Sequence, residues 1–414
     1  MMTIETDLPY SQHTLNNGIR LVHRHTNSPV AHCGIMINAG SRDETAKENG
    51  IAHFIEHCIF KGTKHRKAFH ILNRIDGVGG ELNAYTTKEE TCIYAAFLNI
   101  YHERVLELFA DIVFNSVFPS KELEKEKVVI VDEINSYKDS PSEQILDDFE
   151  QLIFANHALG RQILGTPKRV KSFTGDDVKG FIERNYGTNL MSIATVGAID
   201  FDKWVGLCEK YFAAIDHKTP DRKRSKVKGY KPQTRIEKWD TYQAHAVVGG
   251  VAYDYNSEHR VGFSLLNNIL GGGAMNSYFN MHIREKYGFT YALESNYTPY
   301  SDSGVFAVYA GTDAKYIEKT LDLIKREMTL FIDQPLSDTI LKQYKQQMKG
   351  QLAIQYDSNQ NEMLAMAKSI LNHGKIDSLR ETYNQIDAIT KEEIFAVANE
   401  ICRADRLSLI TYLP

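Results

Sequence analysis

The sequence predicts an α+β protein of two homologous domains, each a mostly antiparallel sheet covered by helices. Three observations carry that expectation. The chain has 414 residues, more than one compact core ordinarily accommodates. In its first half, short β-rich runs lead into long amphipathic stretches. The second half then looks like a divergent copy: 305–309 followed by 314–332 echoes 93–97 followed by 101–116, and 337–356 echoes 120–137. The expected division is a first domain at 1–216, a linker at 217–235 and a second domain at 236–414. The linker is basic, Pro- and Gly-punctuated and nearly free of apolar side chains, which predicts a flexible solvated connector.

Each element has a local reason. Residues 14–23 form a hairpin around the turn Asn17-Gly18. Residues 29–39 alternate and are rich in β-formers, so they make a strand, and 40–44 break it. A helix starts near Asn49 and ends before Gly62, and another covers 69–78 before Gly79-Gly80 stops it. Two strands follow at 81–87 and 92–97, then amphipathic helices at 101–116, 120–138 and 141–154. A helix at 174–186, a strand at 191–196 and a helix at 201–212 complete the first half.

Composition excludes several classes. A net charge of −5 gives no whole-chain attraction to nucleic acid or an anionic membrane. The basic stretch 217–235 lacks the aromatic interleaving of a nucleic-acid surface. Five scattered cysteines (Cys33, Cys58, Cys92, Cys208, Cys402) without C-x-x-C pairing predict reduced thiols and no disulfide framework. The N-terminus has neither the apolar core of a signal peptide nor the arginines of a transit peptide, and no run is long enough to span a bilayer. A soluble, cytoplasmic bacterial protein is expected.

The chemistry concentrates in His53-Phe54-Ile55-Glu56-His57. Histidines four apart on a helix point the same way. Neutral imidazoles suit a borderline divalent metal such as zinc, and Glu56 lies on the same face, close enough to take a proton from water on that metal. The order H-x-x-E-H is the inverted form of the zinc-protease H-E-x-x-H pattern. Two histidines at this spacing also occur on ordinary amphipathic helices, so a distant third ligand decides the matter. The helix 120–138 offers one. Glu126 and Glu133 share a face with Val129 and Ile130 between them, and a half-buried carboxylate there calls for a cation. Glu133 would complete the ligand set, whereas Glu122 and Glu124 fit a solvated face paired with Lys125 and Lys127.

The runs AGSRDETAKENGIAHFIEHCIFKGT, GGELNAYTTKEET and EKEKVVIVDEI, in this order, resemble the pitrilysin-like zinc peptidases of family M16, which include insulysin and the mitochondrial processing peptidase. The resemblance implies the M16 (LuxS-like) fold, zinc on His53, His57 and Glu133, and Glu56 as the general base on metal-bound water. It implies Glu126 as a supporting acid, for which an ion pair with a neighbouring lysine is the competing reading. Asn83 and Ala84 would bind substrate backbone on an exposed strand edge, unless Asn83 merely ends the strand. In the second half the stretch 270–277 resembles the family's glycine-rich hinge, and Arg284 with Tyr291 its substrate- and oxyanion-binding pair, against a simple packing pair. That half lacks H-x-x-E-H, and Leu352 stands where Glu133 would be.

The implied activity is hydrolysis of unfolded peptides or presequence-like segments, inside a chamber formed by two subunits. The partner would be a second copy or a paralogous chain, with Arg284 and Tyr291 acting across the interface. Non-catalytic relatives exist, as does the reading of a metal-binding module without turnover. The full set His53, Glu56, His57, Glu126 and Glu133 favours the enzyme.

Overall fold

A computed structural model describes residues 10–414. Residues 1–9, where the absence of a leader was read, lie outside it. The first half runs β1 (Tyr10–Thr14), β2 (Arg20–His25), β3 (Val30–Ile37), α1 (Ile51–Cys58), α2 (Ala68–Asp76), β4 (Glu81–Thr86), β5 (Thr91–Leu98), α3 (His102–Phe114), α4 (Ser120–Lys138) and α5 (Pro141–Ile153). It continues through α6 (Pro167–Ser172), α7 (Gly175–Asn185), β6 (Met191–Gly197) and α8 (Phe201–Phe212). The second half runs β7 (Thr234–Lys238), β8 (Ala244–Ala252), α9 (Arg260–Gly271), a π-helical turn (Asn280–Glu285), β9 (Thr290–Pro299) and β10 (Gly304–Thr312). Then come α10 (Ile317–Asp333), α11 (Asp338–Tyr356), α12 (Asn359–His373), α13 (Leu379–Ala388), α14 (Lys391–Ile401) and β11 (Ser408–Leu413).

The strands form two sheets with one plan. The first has the order β1-β2-β6-β3-β5-β4 and the second β7-β11-β8-β10-β9. In each, one parallel pair (β2 with β6, β7 with β11) joins an otherwise antiparallel set. Removing β1 makes the two orders match strand for strand, so the chain is a duplicated α+β unit. The Asn17-Gly18 turn sits where expected, with Gly18 at φ +93°, a left-handed value that favours glycine. All five cysteines are buried free thiols.

One face of the first sheet packs against α1, α2, α3, α7 and α8 in a core centred on Ile35, Ile37, Phe54, Ile55, Ile93, Phe109, Ile193 and Trp204. Its other face is not covered by a neighbouring part of the chain. Val22, Met36, Cys92, Ala194 and Val196 there meet Met363, Met366, Ala367, Ile370 and Leu371 of α12. Polar contacts fix the docking: Arg20 donates to the carbonyls of Ile370 and Leu371 at 2.8 Å each, and Ser192 to that of Ala367 at 2.8 Å. Gly34 lets the helix sit close, because a Cβ there would come within 2.8 Å of the Met363 sulfur. The second sheet is treated the same way. Ile145, Phe149, Leu152 and Ile153 of α5 pack on Val247, Val305, Tyr309, Ile410 and Tyr412.

The expected linear division at 216 and 236 is therefore corrected. The first compact unit takes residues 353–380 and the second takes 135–160, so the duplicated halves exchange equivalent helices. Periodicity marks a helix at α5 but not which sheet it would cover, and it marks none at α12. The connector is also not a loose tether throughout. Arg222 pairs with Asp43 at 2.6 Å, and Arg224 with Asp43 at 2.8 Å and Glu89 at 3.3 Å. The change from one unit to the other falls between Arg224 and Ser225.

Truncating Met363 to alanine should cost the first unit about 2–5 kcal/mol, the usual range for a fully buried side chain. Hydrogen exchange should then speed up in β6 and stay unchanged in β10. Unaltered protection of β6 would contradict the exchange of helices.

Candidate metal centre

The site grows from the composition of α1. Ile51, Ala52, Phe54, Ile55 and Cys58 are completely buried, which fixes the rotation of this eight-residue helix about its axis. His53 and His57 are thereby left side by side, with ring centroids 4.7 Å apart. The helix α4 is held to the same core by Leu123, Ile130 and Ile134. That packing turns Glu126 and Glu133 towards α1.

Glu133 reaches both imidazoles. Its Oε1 lies 3.8 Å from His53 Nε2 and its Oε2 lies 3.5 Å from His57 Nε2. One ligand atom from each of the three residues falls within 4.8 Å of the others, and among the described residues no other such cluster of His, Cys, Asp and Glu is found. These separations are too long for charge-assisted hydrogen bonds of about 2.7–2.9 Å. They are close to the roughly 3.3 Å that tetrahedral ligands on bonds of roughly 2.0–2.1 Å would adopt. His53 is 7 % exposed, and its Nδ1 is buried without a partner. Burial, aided by the neighbouring His57, pushes its pKa down to about 3, so it stays neutral and can donate a lone pair. The donor set fits a divalent cation.

The neighbouring groups are ordered around that triangle. His57 Nδ1 lies 3.3 Å from Glu126 Oε2, which assigns its proton to Nδ1 and leaves Nε2 facing Glu133. Glu126 is only 6 % exposed, and its other oxygen pairs with Lys61 at 2.8 Å. Both readings of Glu126 are thus present together, as a support for histidine and an ion pair with lysine. Glu56 stays outside the triangle. Burial pushes its carboxyl up, and the charge of Glu133 adds to this while Thr86 and His57 nearby oppose it. Glu122 and Glu124 pair with Lys125 and Lys127 at i,i+3, and Glu124 is exposed.

Asn83 and Ala84 lie on β4, the edge strand of the first sheet, which packs beside α1. Asn83 is mid-strand and exposed, so it does not end the strand. Arg284 and Tyr291 belong to the second compact unit. Arg284 is half-buried in the π-helical turn, and Tyr291 on the edge strand β9 is 70 % exposed, so neither is a core packing residue. The bounds of α4 and α11 align Glu133 with Gln351 rather than Leu352. Gln351 accepts a 2.6 Å hydrogen bond from Asn268 on α9, an amide pair and no metal site.

Sequence reading missed two groups. Lys61 was one, since its role depends on the buried Glu126. The other is Glu44, 4 % exposed, whose carboxylate accepts from the backbone N–H of Gly50 at 3.0 Å and of Ala52 at 2.9 Å. Burial pushes its pKa up to about 8. Two of its partners are main-chain amides, which leave no mark in a sequence.

Two family profiles match the chain in order: Insulinase (Peptidase family M16) over residues 20–167 and Peptidase M16 inactive domain over 172–348. The uncharacterized zinc protease YmxG of Bacillus subtilis is 33% identical over 409 residues, 97% of this chain and 98% of its own length. An uncharacterized zinc protease of Mycobacterium leprae is 32% identical over 393 residues, covering 94% and 88%. Among solved structures, the peptidase M16 inactive domain from Pseudomonas fluorescens superposes with a TM-score of 0.91 at 20% identity, covering 98% of both chains. A protease from Helicobacter pylori gives 0.89 at 20% identity, over 98% of this chain and 100% of that one. Profiles matched over most of the chain, with relatives a third identical along nearly its full length, make this protein a member of peptidase family M16.

Proposed function

We propose that this chain is a zinc-dependent endopeptidase that cleaves unfolded peptides or presequence-like segments. The observation that carries the reading is the meeting of His53, His57 and Glu133 with a fourth group, Glu56, beside them and outside the ligand set. The relatives named as zinc proteases support zinc as the ion. When bound, zinc supplies Lewis-acid polarisation of a carbonyl and acidifies water.

The remaining work falls to the chain's own residues. His53 and His57 would hold the ion through Nε2, and Glu133 through its carboxylate. Glu126 keeps the His57 ring in one tautomer by accepting at Nδ1. Glu56 takes a proton from the attacking water onto its carboxylate and passes it to the leaving nitrogen. The free edge of β4, with Asn83 and Ala84, would receive an extended peptide as one more strand. Arg284 would bind substrate, and the Tyr291 hydroxyl would donate to the oxyanion of the tetrahedral intermediate.

The active form on this reading is a pair of chains enclosing a chamber, either two copies or this chain with a paralogue. Each chain's Arg284 and Tyr291 would serve the other's metal site.

Glu56→Gln should retain zinc and lose turnover of a quenched peptide by about 10²–10⁴-fold. Substantial residual activity would remove Glu56 from its role. Chelation should abolish wild-type activity, and zinc should restore it.

Mixing two inactive variants, Glu56→Gln and Tyr291→Phe, should recover activity, because the mixed dimer assembles one site with both groups. No recovery on mixing, with subunit exchange confirmed by sedimentation, would sink the shared site.

Metal-free protein should lose stability as pH falls from 7 to 5. In that window the unfolded His53 and His102 protonate near 6.5, while the buried imidazoles stay neutral down to about 3 and about 4. The expected loss is about 2 kcal/mol for each at pH 5, read from urea midpoints.

A further inference from the structure

The N-terminal end of α1 is one of several in this chain without a side-chain cap of its own. Thr166, Thr174, Asp200, Ser358 and Thr390 each accept a hydrogen bond from the first turn of their own helix. The N-cap of α1 is Gly50, at φ 98°, with no side chain to offer. Glycine is required there by space as well, since a Cβ would approach Leu164 O to 2.7 Å and Gly165 Cα to 2.9 Å. At this end Ile51 N donates to the Glu48 carbonyl at 2.8 Å, while the N–H groups of the cap Gly50 and of Ala52 are taken by Glu44, one oxygen each. Asn49 Nδ2 also donates to this carboxylate, at 3.2 Å.

We infer that Glu44 is a positioning residue that sets where the helix bearing His53, Glu56 and His57 sits relative to the strand β4. The inference rests on the metallopeptidase reading for its functional meaning. A helix capped by its own residue can shift with its cap. A helix capped by a separate segment is tied to whatever holds that segment, and here the holders are the β4–β5 turn and the basic strap. Ser41 N donates to Thr87 O at 3.1 Å and Arg42 N to Lys88 O at 2.7 Å. The Arg42 guanidinium pairs with Glu89 at 2.6 Å. Asp43 is gripped by Arg222 and Arg224. Arg161 donates to the Glu44 carbonyl at 2.6 Å, and Lys88 donates to the Arg161 carbonyl at 2.8 Å. The β4–β5 turn, residues 41–44 and the start of α1 therefore form one hydrogen-bonded body. Through it, the edge strand proposed to hold peptide and the helix proposed to hold metal keep a fixed offset.

The test uses the full-length chain with Glu44→Gln, which keeps the shape and one acceptor oxygen, and Glu44→Ala, which keeps neither. In the zinc-free protein, hydrogen exchange should accelerate across residues 51–58 and stay unchanged across 175–185. Zinc affinity by chelator competition should fall about 10–100-fold, as when a group supporting metal ligands is lost, with Gln milder than Ala. For peptide cleavage at saturating zinc, kcat should fall while KM moves less than about twofold, the pattern of an interaction that matters only in the transition state. Zinc affinity equal to wild type would overturn the inference. So would faster exchange spread evenly over the first unit, which would mark Glu44 as an ordinary stabilising group. If wild type bound no zinc while exchange still changed only at 51–58, the clamp would stand and the metallopeptidase reading would fall.

Discussion

Everything at the centre of this molecule depends on one packing constraint. Two helices distant in sequence, α1 and α4, are pressed onto the same apolar core, and each has its polar edge turned to the other. The burial of Phe54 and Ile55 on one side and Ile130 and Ile134 on the other leaves little rotational freedom. Gathering two imidazoles and a carboxylate here is costly above all at His53, whose buried Nδ1 has no partner. The core thus holds together a polar cluster whose donor set fits a cation.

The duplicated half shows what the same scaffold does without that demand. In the second unit, α9 and α11 lie between corresponding strands, yet Asn268 and Gln351 meet in a neutral amide hydrogen bond. Such a pair is satisfied by itself and needs no added ion. The helix α1 of the first unit ends after eight residues, whereas α9 runs for twelve and carries no histidine. The two units share a frame, and the polar edge between the two helices is a histidine–carboxylate set in one and a self-contained amide pair in the other.

Much of the frame was legible in the sequence because it follows from local periodicity. The bounds of α4 and α8 coincide with those expected, α1 and β3 lie within the expected stretches with slightly shorter ends, and β6 runs one residue past its expected end. The pattern H-x-x-E-H with a distant E-x6-E also located His53, His57, Glu126 and Glu133, since residues on one helical face must approach whatever that face packs against. What stayed hidden was set by long-range choice. Both α5 and α12 could have covered the nearer sheet, and nothing in their own residues says otherwise. The basic strap reads as solvated because its acidic partners, Asp43 and Glu89, are far away in sequence. Glu44 works largely through main-chain N–H groups, which every residue but proline possesses.

The exchanged helices also bear on how the chain leaves the ribosome. The strands of the first sheet are complete by residue 197, but the helix that covers its second face ends at residue 373. At translation speeds of about 5–20 residues per second, that face waits on the order of ten seconds or more, with Val22, Met36 and Val196 open to water. A nascent chain in that state offers a ready surface to chaperones and to aggregation alike. The order of synthesis and the order of assembly are out of step in this protein, and its first half becomes a finished body only when the second is nearly made.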